Sequence, residues 1–256
     1  MQISQVAVQL YTLRDQLQTP RDIAVSLKKV RAIGYQSVQI SGTCEIEESE
    51  LNALLDDNGL TCCATHEPTK TLFETPQLVV ERLRKLRCKY TAVPSPGAYS
   101  IATLQDVIEY SLNIERAGRV LQEAGQVLTY HNHQLEFRRL AGKTILDHIY
   151  DSTDATAVQG ELDTYWVQFG GGDVINWCKK LQNRLPLLHL KDYKINDDNT
   201  VNFCEVGQGN LRWKEIIATA ENSGCEWFIV EQDTTPGDPF DSLKISFDYI
   251  AEHLVS

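Results

Sequence analysis

The feature that most constrains this chain is an alternation of eight short apolar runs with longer amphipathic stretches. The short runs are "QVAVQL" (5–10), "SVQI" (37–40), "LTCCAT" (60–65), "YTAVP" (90–94), "QVLTYHNH" (126–133), "AVQGELD" (157–163), "LPLLHL" (185–190) and "WFIVEQ" (227–232). Runs of this length and type predict buried strands. Between them, "TPRDIAVSLKKVRAIG", "TLQDVIEYSLNIERAGRVLQEAG" and "LRWKEIIATAENSG" carry apolar residues near i, i+3 and i+4, and each is stopped by glycine, as helices are. Strands alternating with helices imply parallel pairing through crossover connections. Eight such units in 256 residues match a (β/α)8 barrel. A doubly wound sheet would more often have fewer strands and a phosphate-binding glycine loop, and neither GxGxxG nor GxxxxGK[ST] occurs. "GQGN" reads as a turn. No Pro/Gly/Ser-rich linker or composition shift divides the chain, so one domain over residues 1–256 is expected.

Charge and cysteine usage narrow the partners. A formal charge of −11 opposes nucleic acid and anionic membrane surfaces. Seven scattered cysteines without a CxxC pair fit reduced thiols rather than a zinc or redox motif. The N-terminal "MQISQVAVQLYTLRDQL" lacks a basic segment followed by an apolar run, and no segment approaches the ~18 apolar residues of a membrane span. A cytoplasmic protein with no membrane or nucleic-acid partner is expected, with a homo-oligomer left open.

In a (β/α)8 barrel the active site gathers at the C-terminal ends of the strands. Those ends read "VQLYTLR", "CCATHEP", "YHNHQLEF", "ELDTYW", "LHLKDY" and "IVEQD" for strands one, three, five, six, seven and eight. Asp163, His189 and Glu231 stand where buried runs give way to loops, and His131 and His133 share one face of strand five by the period of two. A single histidine or acid at a strand end is more often a hydrogen-bonded structural group. Carboxylates and imidazoles from four or more strand ends on one rim instead suit one divalent ion, Mn, Co, Mg or Zn. His148 and His253 lie on predicted helices and take no part, and Asp173 in "GGGD" caps a helix.

Taken together, "VAVQLYTLR", "YHNHQLEF", "ELDTYW", "LHLKDY", "EVGQGNLRW" and "IVEQD" resemble the sugar phosphate isomerase/epimerase family, the xylose isomerase-like TIM barrels, with similarity to inosose dehydratases and, more distantly, endonuclease IV. The resemblance implies one divalent ion held from strands five to eight, with Asp163, His189 and Glu231 as the ligands of strands six, seven and eight. Strand five departs from the pattern. Where many sugar epimerases of the family carry a glutamate, this chain has His131, taken as the ligand, with Glu136 an alternative otherwise left to substrate hydroxyls. Trp166 stands where some relatives carry a second histidine; an indole can stack on a sugar but cannot transfer a proton.

The chemistry that fits is proton abstraction next to a carbonyl, through a metal-stabilised enediolate of a small sugar or keto-sugar. His133, with an ordinary pKa near working pH, and Glu231 are the candidate bases, and Lys191, on the face of His189, neutralises a developing oxyanion. Asp192 faces the other way. Gln9, Tyr11, His66 and, from a loop, Glu205 are candidates to line a sugar or polyol pocket. A metal-dependent isomerase or epimerase is the expectation. The alternatives are a keto-polyol dehydratase and a non-catalytic sugar-binding barrel; an endonuclease IV-like nuclease, wanting several zinc ions and a basic groove, is disfavoured.

Overall fold

A computed structural model describes residues 1–255. Eight parallel strands close into a barrel: β1 (Val6–Gln9), β2 (Ser37–Ile40), β3 (Thr61–His66), β4 (Tyr90–Val93), β5 (Val127–His131), β6 (Val158–Asp163), β7 (Leu187–Leu190) and β8 (Trp227–Val230). Each strand pairs with its sequence neighbours, and β8 returns to β1 through Val8 opposite Val230. All eight predicted runs are strands: "SVQI" matches in full, the strand from "LTCCAT" is shifted by one residue to end at His66, and the others are trimmed by up to two residues at an end.

Helices connect the strands where the periodicity placed them. Thr19 caps Pro20–Ile33 by accepting from Asp22 N, and Thr103 caps Leu104–Glu123 reciprocally with Asp106. Gly118 lies where that helix meets the start of β6: a Cβ there would stand 2.2 Å from the Ala157 carbonyl oxygen. Two antiparallel pairs are additions to the barrel, Arg139–Leu140 with Lys143–Thr144 after β5, and Asp192–Ile195 with Val201–Cys204 after β7. Among the described residues no helix is long and apolar enough to cross a membrane.

The period of two splits each strand between two environments. Leu128, Tyr130, Leu162, Leu188, Leu190, Phe228 and Val230 point outward into the main apolar core beneath the helices. Inside the barrel, Ala7, Ala64, Tyr90, Leu187 and Ile229 form a separate apolar plug. Two residues further along β6, β7 and β8 the inward positions become polar: Glu161 with Asp163, His189, and Glu231 just past the last strand. The barrel thus has a dry floor and a buried polar layer at the C-terminal end.

Candidate metal and substrate site

Strand register assembles the polar layer. His131 pairs in register with Glu161, and Asp163 with His189, so four titratable side chains from three adjacent strands converge. Two overlapping groups result, His131, Asp163, His189 and Glu231, and His66, His131, Glu161 and His189; within each, one donor atom per residue lies within 4.8 Å of the others. All of these residues are buried except His66, which is half-buried.

Glu161 is the hub of the deeper group. Its Oε1 stands 2.6 Å from His66 Nε2, 3.0 Å from His189 Nε2 and 3.2 Å from His131 Nδ1, and its Oε2 accepts from Gln39 Nε2 at 2.8 Å. Burial opposes its charge, but His66 and His189 hold its pKa well below the carboxylate range. His189 reaches both groups: Nδ1 meets Glu231 Oε2 at 2.8 Å and Nε2 meets Gln39 Oε1 at 2.7 Å. Burial works against an imidazolium, yet Glu161 and Glu231 raise the His189 pKa to about 10.

Lys191 closes the layer. Its Nζ lies 2.8 Å from Asp233 Oδ1, 3.2 Å from Glu231 Oε2 and 3.3 Å from Asp163 Oδ2. Against burial, these carboxylates push its pKa up, and Lys191 with His189 keeps Glu231 ionised. Asp163 is raised to about 6 because burial outweighs the nearby ammonium. The rings of Trp166 and Phe203 cover the same ammonium at 5.3 and 5.4 Å. Lys191 therefore stands among three carboxylates whose summed negative charge its single positive charge only partly offsets.

A cavity of about 600 Å³ opens onto this layer, lined among others by Tyr11, His66, His131, His133, Lys191 and Glu231. Of the residues expected to line a sugar pocket, Tyr11 and His66 do so. Gln9 lies beneath it, donating to Gln39 Oε1 at 3.0 Å and lying 3.4 Å from His66 Nδ1. Trp166 stands behind the wall, its ring 5.6 Å from that of His133. Glu205 is outside the lining because its carboxylate accepts from Ser242 Oγ at 2.7 Å, anchoring a loop to the last helix. Glu136 is also turned away. It accepts from Tyr130 Oη and His133 N, both at 2.9 Å, and burial raises its pKa to about 7. That commitment takes Glu136 out of the donor set and leaves His131 as the group from β5. His133 differs in charge from the expectation, since burial, helped by Lys191, lowers its pKa to about 4 and keeps the ring neutral.

The residues fit a divalent ion. His131 Nδ1 and Asp163 Oδ2 are buried and make no well-formed hydrogen bond, their nearest partners being Glu161 Oε1 at 3.2 Å and Lys191 Nζ at 3.3 Å, so both are under-satisfied for groups kept from water. Mixed imidazole and carboxylate donors suit the divalent first-row metals. Sequence reasoning missed Glu161, Gln39 and Asp233. Each carried a signal: Glu161 and Asp233 lie two residues from Asp163 and Glu231, and Gln39 is a lone amide within the buried run "SVQI".

Comparison with known proteins adds an independent line. The profile of the xylose isomerase-like TIM barrel family matches residues 27–253. Inosose dehydratase of Geobacillus thermodenitrificans is 28% identical over 156 residues, covering 54% of this chain and about half (52%) of that protein. Inosose dehydratase of Bacillus thuringiensis is 26% identical over 223 residues, 74% of each chain. A sugar phosphate isomerase/epimerase from Parabacteroides distasonis superposes with a TM-score of 0.85 at 23% identity, covering 99% of this chain and 96% of that one. At that identity the likeness shows the fold.

Proposed function

We propose that this chain, which belongs to the xylose isomerase-like TIM barrel family, removes a proton next to the carbonyl of a small polyhydroxy ketone with the help of a divalent ion. The observation that carries the reading is the convergence of His131, Asp163, His189 and Glu231 beneath a cavity of about 600 Å³. These four residues would hold the ion, whose chemistry there would be to polarise the substrate's carbonyl and so acidify the neighbouring C–H.

The chain's own groups do the rest. His133, neutral and on the cavity wall, accepts the proton at an imidazole nitrogen. Lys191, fixed by Asp163, Glu231 and Asp233, supplies a buried positive charge beside the forming oxyanion. Tyr11, with Arg14 packed on its ring at 4.6 Å, offers an apolar face at the mouth on which a sugar can stack.

The two sides of the cavity differ in kind. Imidazoles stand on the β3 and β5 side, while the β7 and β8 side carries Lys191 with Glu231 and Asp233. Epimerisation wants equivalent acid/base groups across one carbon; elimination of water wants a base and an acid of different kinds. The unequal sides, together with the similarity to inosose dehydratases, support a reading in which loss of water rather than isomerisation is the fate of the carbanion. Family breadth alone implies the reverse order.

The test is a panel of keto-polyols and keto-sugars incubated with manganese and protein in heavy water. Protein-dependent deuterium uptake is expected for at least one member, with a product lacking water. A rearranged product of unchanged composition would restore isomerisation, and no exchange on a broad panel would leave the sugar-binding alternative.

A further inference from the structure

We infer that Glu161 and Gln39 are positioning residues that fix the tautomer of His189, reserving its Nδ1 for the divalent ion. A carboxylate only accepts hydrogen bonds. The end of the Gln39 amide that stands 2.8 Å from Glu161 Oε2 is therefore its NH2, and the opposite end, 2.7 Å from His189 Nε2, is its oxygen. Gln9 Nε2, donating to that same oxygen at 3.0 Å, is consistent with this orientation. An amide oxygen also only accepts, so His189 Nε2 carries a hydrogen. Glu161 Oε1, 3.0 Å from the same nitrogen, requires the same.

Once Nε2 is a donor, the lone pair of a neutral His189 is at Nδ1. That nitrogen faces Glu231 Oε2 at 2.8 Å, on the side of the group formed with Asp163 and His131. Ligating histidines generally donate their other ring N–H to a carboxylate or carbonyl, which orients the ring and raises its basicity. The deeper group of His66, His131, Glu161 and His189 is thus the support of the ion site rather than a second seat, because a protonated Nε2 cannot ligate. Through its 2.6 Å contact to His66 Nε2, Glu161 also fixes one wall of the cavity relative to the ion.

This inference rests on the proposed ion site, and the experiment separates the two. Manganese and cobalt binding are measured by calorimetry, and the visible spectrum of the cobalt-loaded protein is recorded, for wild type, Glu161→Gln and Gln39→Met. In Glu161→Gln one of the two acceptors on His189 Nε2 becomes an NH2, either that of the new amide or that of a turned Gln39, so the hydrogen is no longer held firmly on Nε2 and the Nδ1 lone pair is no longer reserved. Affinity should fall about 10- to 100-fold and the cobalt spectrum should change. Gln39→Met keeps the shape, removes one of the two acceptors on Nε2, and should lose several-fold, which provides the test if Glu161→Gln does not fold. If wild type binds and a folded variant binds equally with an unchanged spectrum, the two residues are structural only and the inference is overturned while the ion site stands. Wild-type protein that takes up no ion overturns both.

Discussion

His189 Nδ1 and Glu231 Oε2 meet at 2.8 Å across the paired strands β7 and β8, at the point where the apolar floor of the barrel gives way to acids and imidazoles. With Nε2 already a donor to Gln39 and Glu161, a second imidazole nitrogen this close to a carboxylate oxygen needs a proton or another cation between them. In the metal-free protein this is the histidine's own proton, since burial is outweighed by Glu161 and Glu231 and the pKa rises to about 10.

The first prediction concerns ion uptake. Wild-type protein should bind about one manganese, cobalt or zinc ion per chain. Asp163→Ala should abolish this at a cost of roughly 1–2 kcal/mol, because it removes the cap that accepts from Trp166 N and a partner of Lys191, offset in part by relief of an anion whose pKa burial raises to about 6. His189→Ala should abolish it too, but it leaves Glu161 and Glu231 without their shared partner and should cost roughly 3–5 kcal/mol. Elemental analysis and denaturant melts read both; unaltered ion content in Asp163→Ala would remove that residue from the site.

A second prediction separates neighbours in sequence. Lys191 points to the site, whereas Asp192 points away and accepts from Trp213 Nε1 at 2.6 Å, Tyr193 N at 2.9 Å and Gly207 N at 3.0 Å. Its carboxylate holds the "EVGQGN" loop so closely that a Cβ on Gly209 would stand 2.4 Å from Asp192 Oδ1. Asp192→Ala should destabilise the protein by roughly 3 kcal/mol, through orphaned donors, and keep the ion. A variant of normal stability that has lost the ion would reverse this assignment.

These cases show what was legible. Strand positions followed from runs of buried residues, because a strand lined on both faces by core cannot hide its composition. His189, Lys191 and Asp192 could be sorted by the period of two alone. Glu136 could not: its distance from the ion group depends on a one-turn 3-10 helix, Gln134–Phe137, that turns the carboxylate back onto Tyr130. Glu161 was hidden differently, since attention to strand ends passes over a residue one layer deeper, although it shares its face with Asp163.

Glu136 yields a pH prediction. Burial raises its pKa from 4.5 to about 7 in the folded state. Its contribution to stability is therefore full below about pH 4.5 and lost as pH rises through about 7. The difference corresponds to roughly 3 kcal/mol at most. Glu136→Gln cannot ionise, so urea melts between pH 4.5 and 8 should show a flatter dependence than wild type. Equal slopes would mean that Glu136 has an ordinary carboxylate pKa.

The acidic balance gives a further expectation. Beside the cavity, a groove is lined by Glu45, Glu47, Glu48 and Glu50, while its Arg82 is engaged by Glu48 and Glu67. Duplex DNA should show no salt-dependent retention and no cleavage at abasic sites. Metal-dependent nicking of an abasic duplex would contradict the proposed chemistry.

The last prediction isolates the base. His133 lies on the cavity wall with its ring 5.0 Å from that of His131, yet it belongs to neither group of ion donors. Its pKa, lowered to about 4 chiefly by burial, keeps the ring uncharged with a free lone pair at neutral pH while weakening it as a base, and a substrate that excludes water and brings negative charge beside it would raise that basicity. His133→Ala should therefore bind the ion as wild type does while losing about 100-fold or more in deuterium exchange and turnover. The split matters because Asp163→Ala is expected to lose ion and exchange together. If His133→Ala retains full exchange on a substrate that wild type deuterates, the proton goes elsewhere, and Glu231, on the other side of the same cavity and already held ionised, becomes the base.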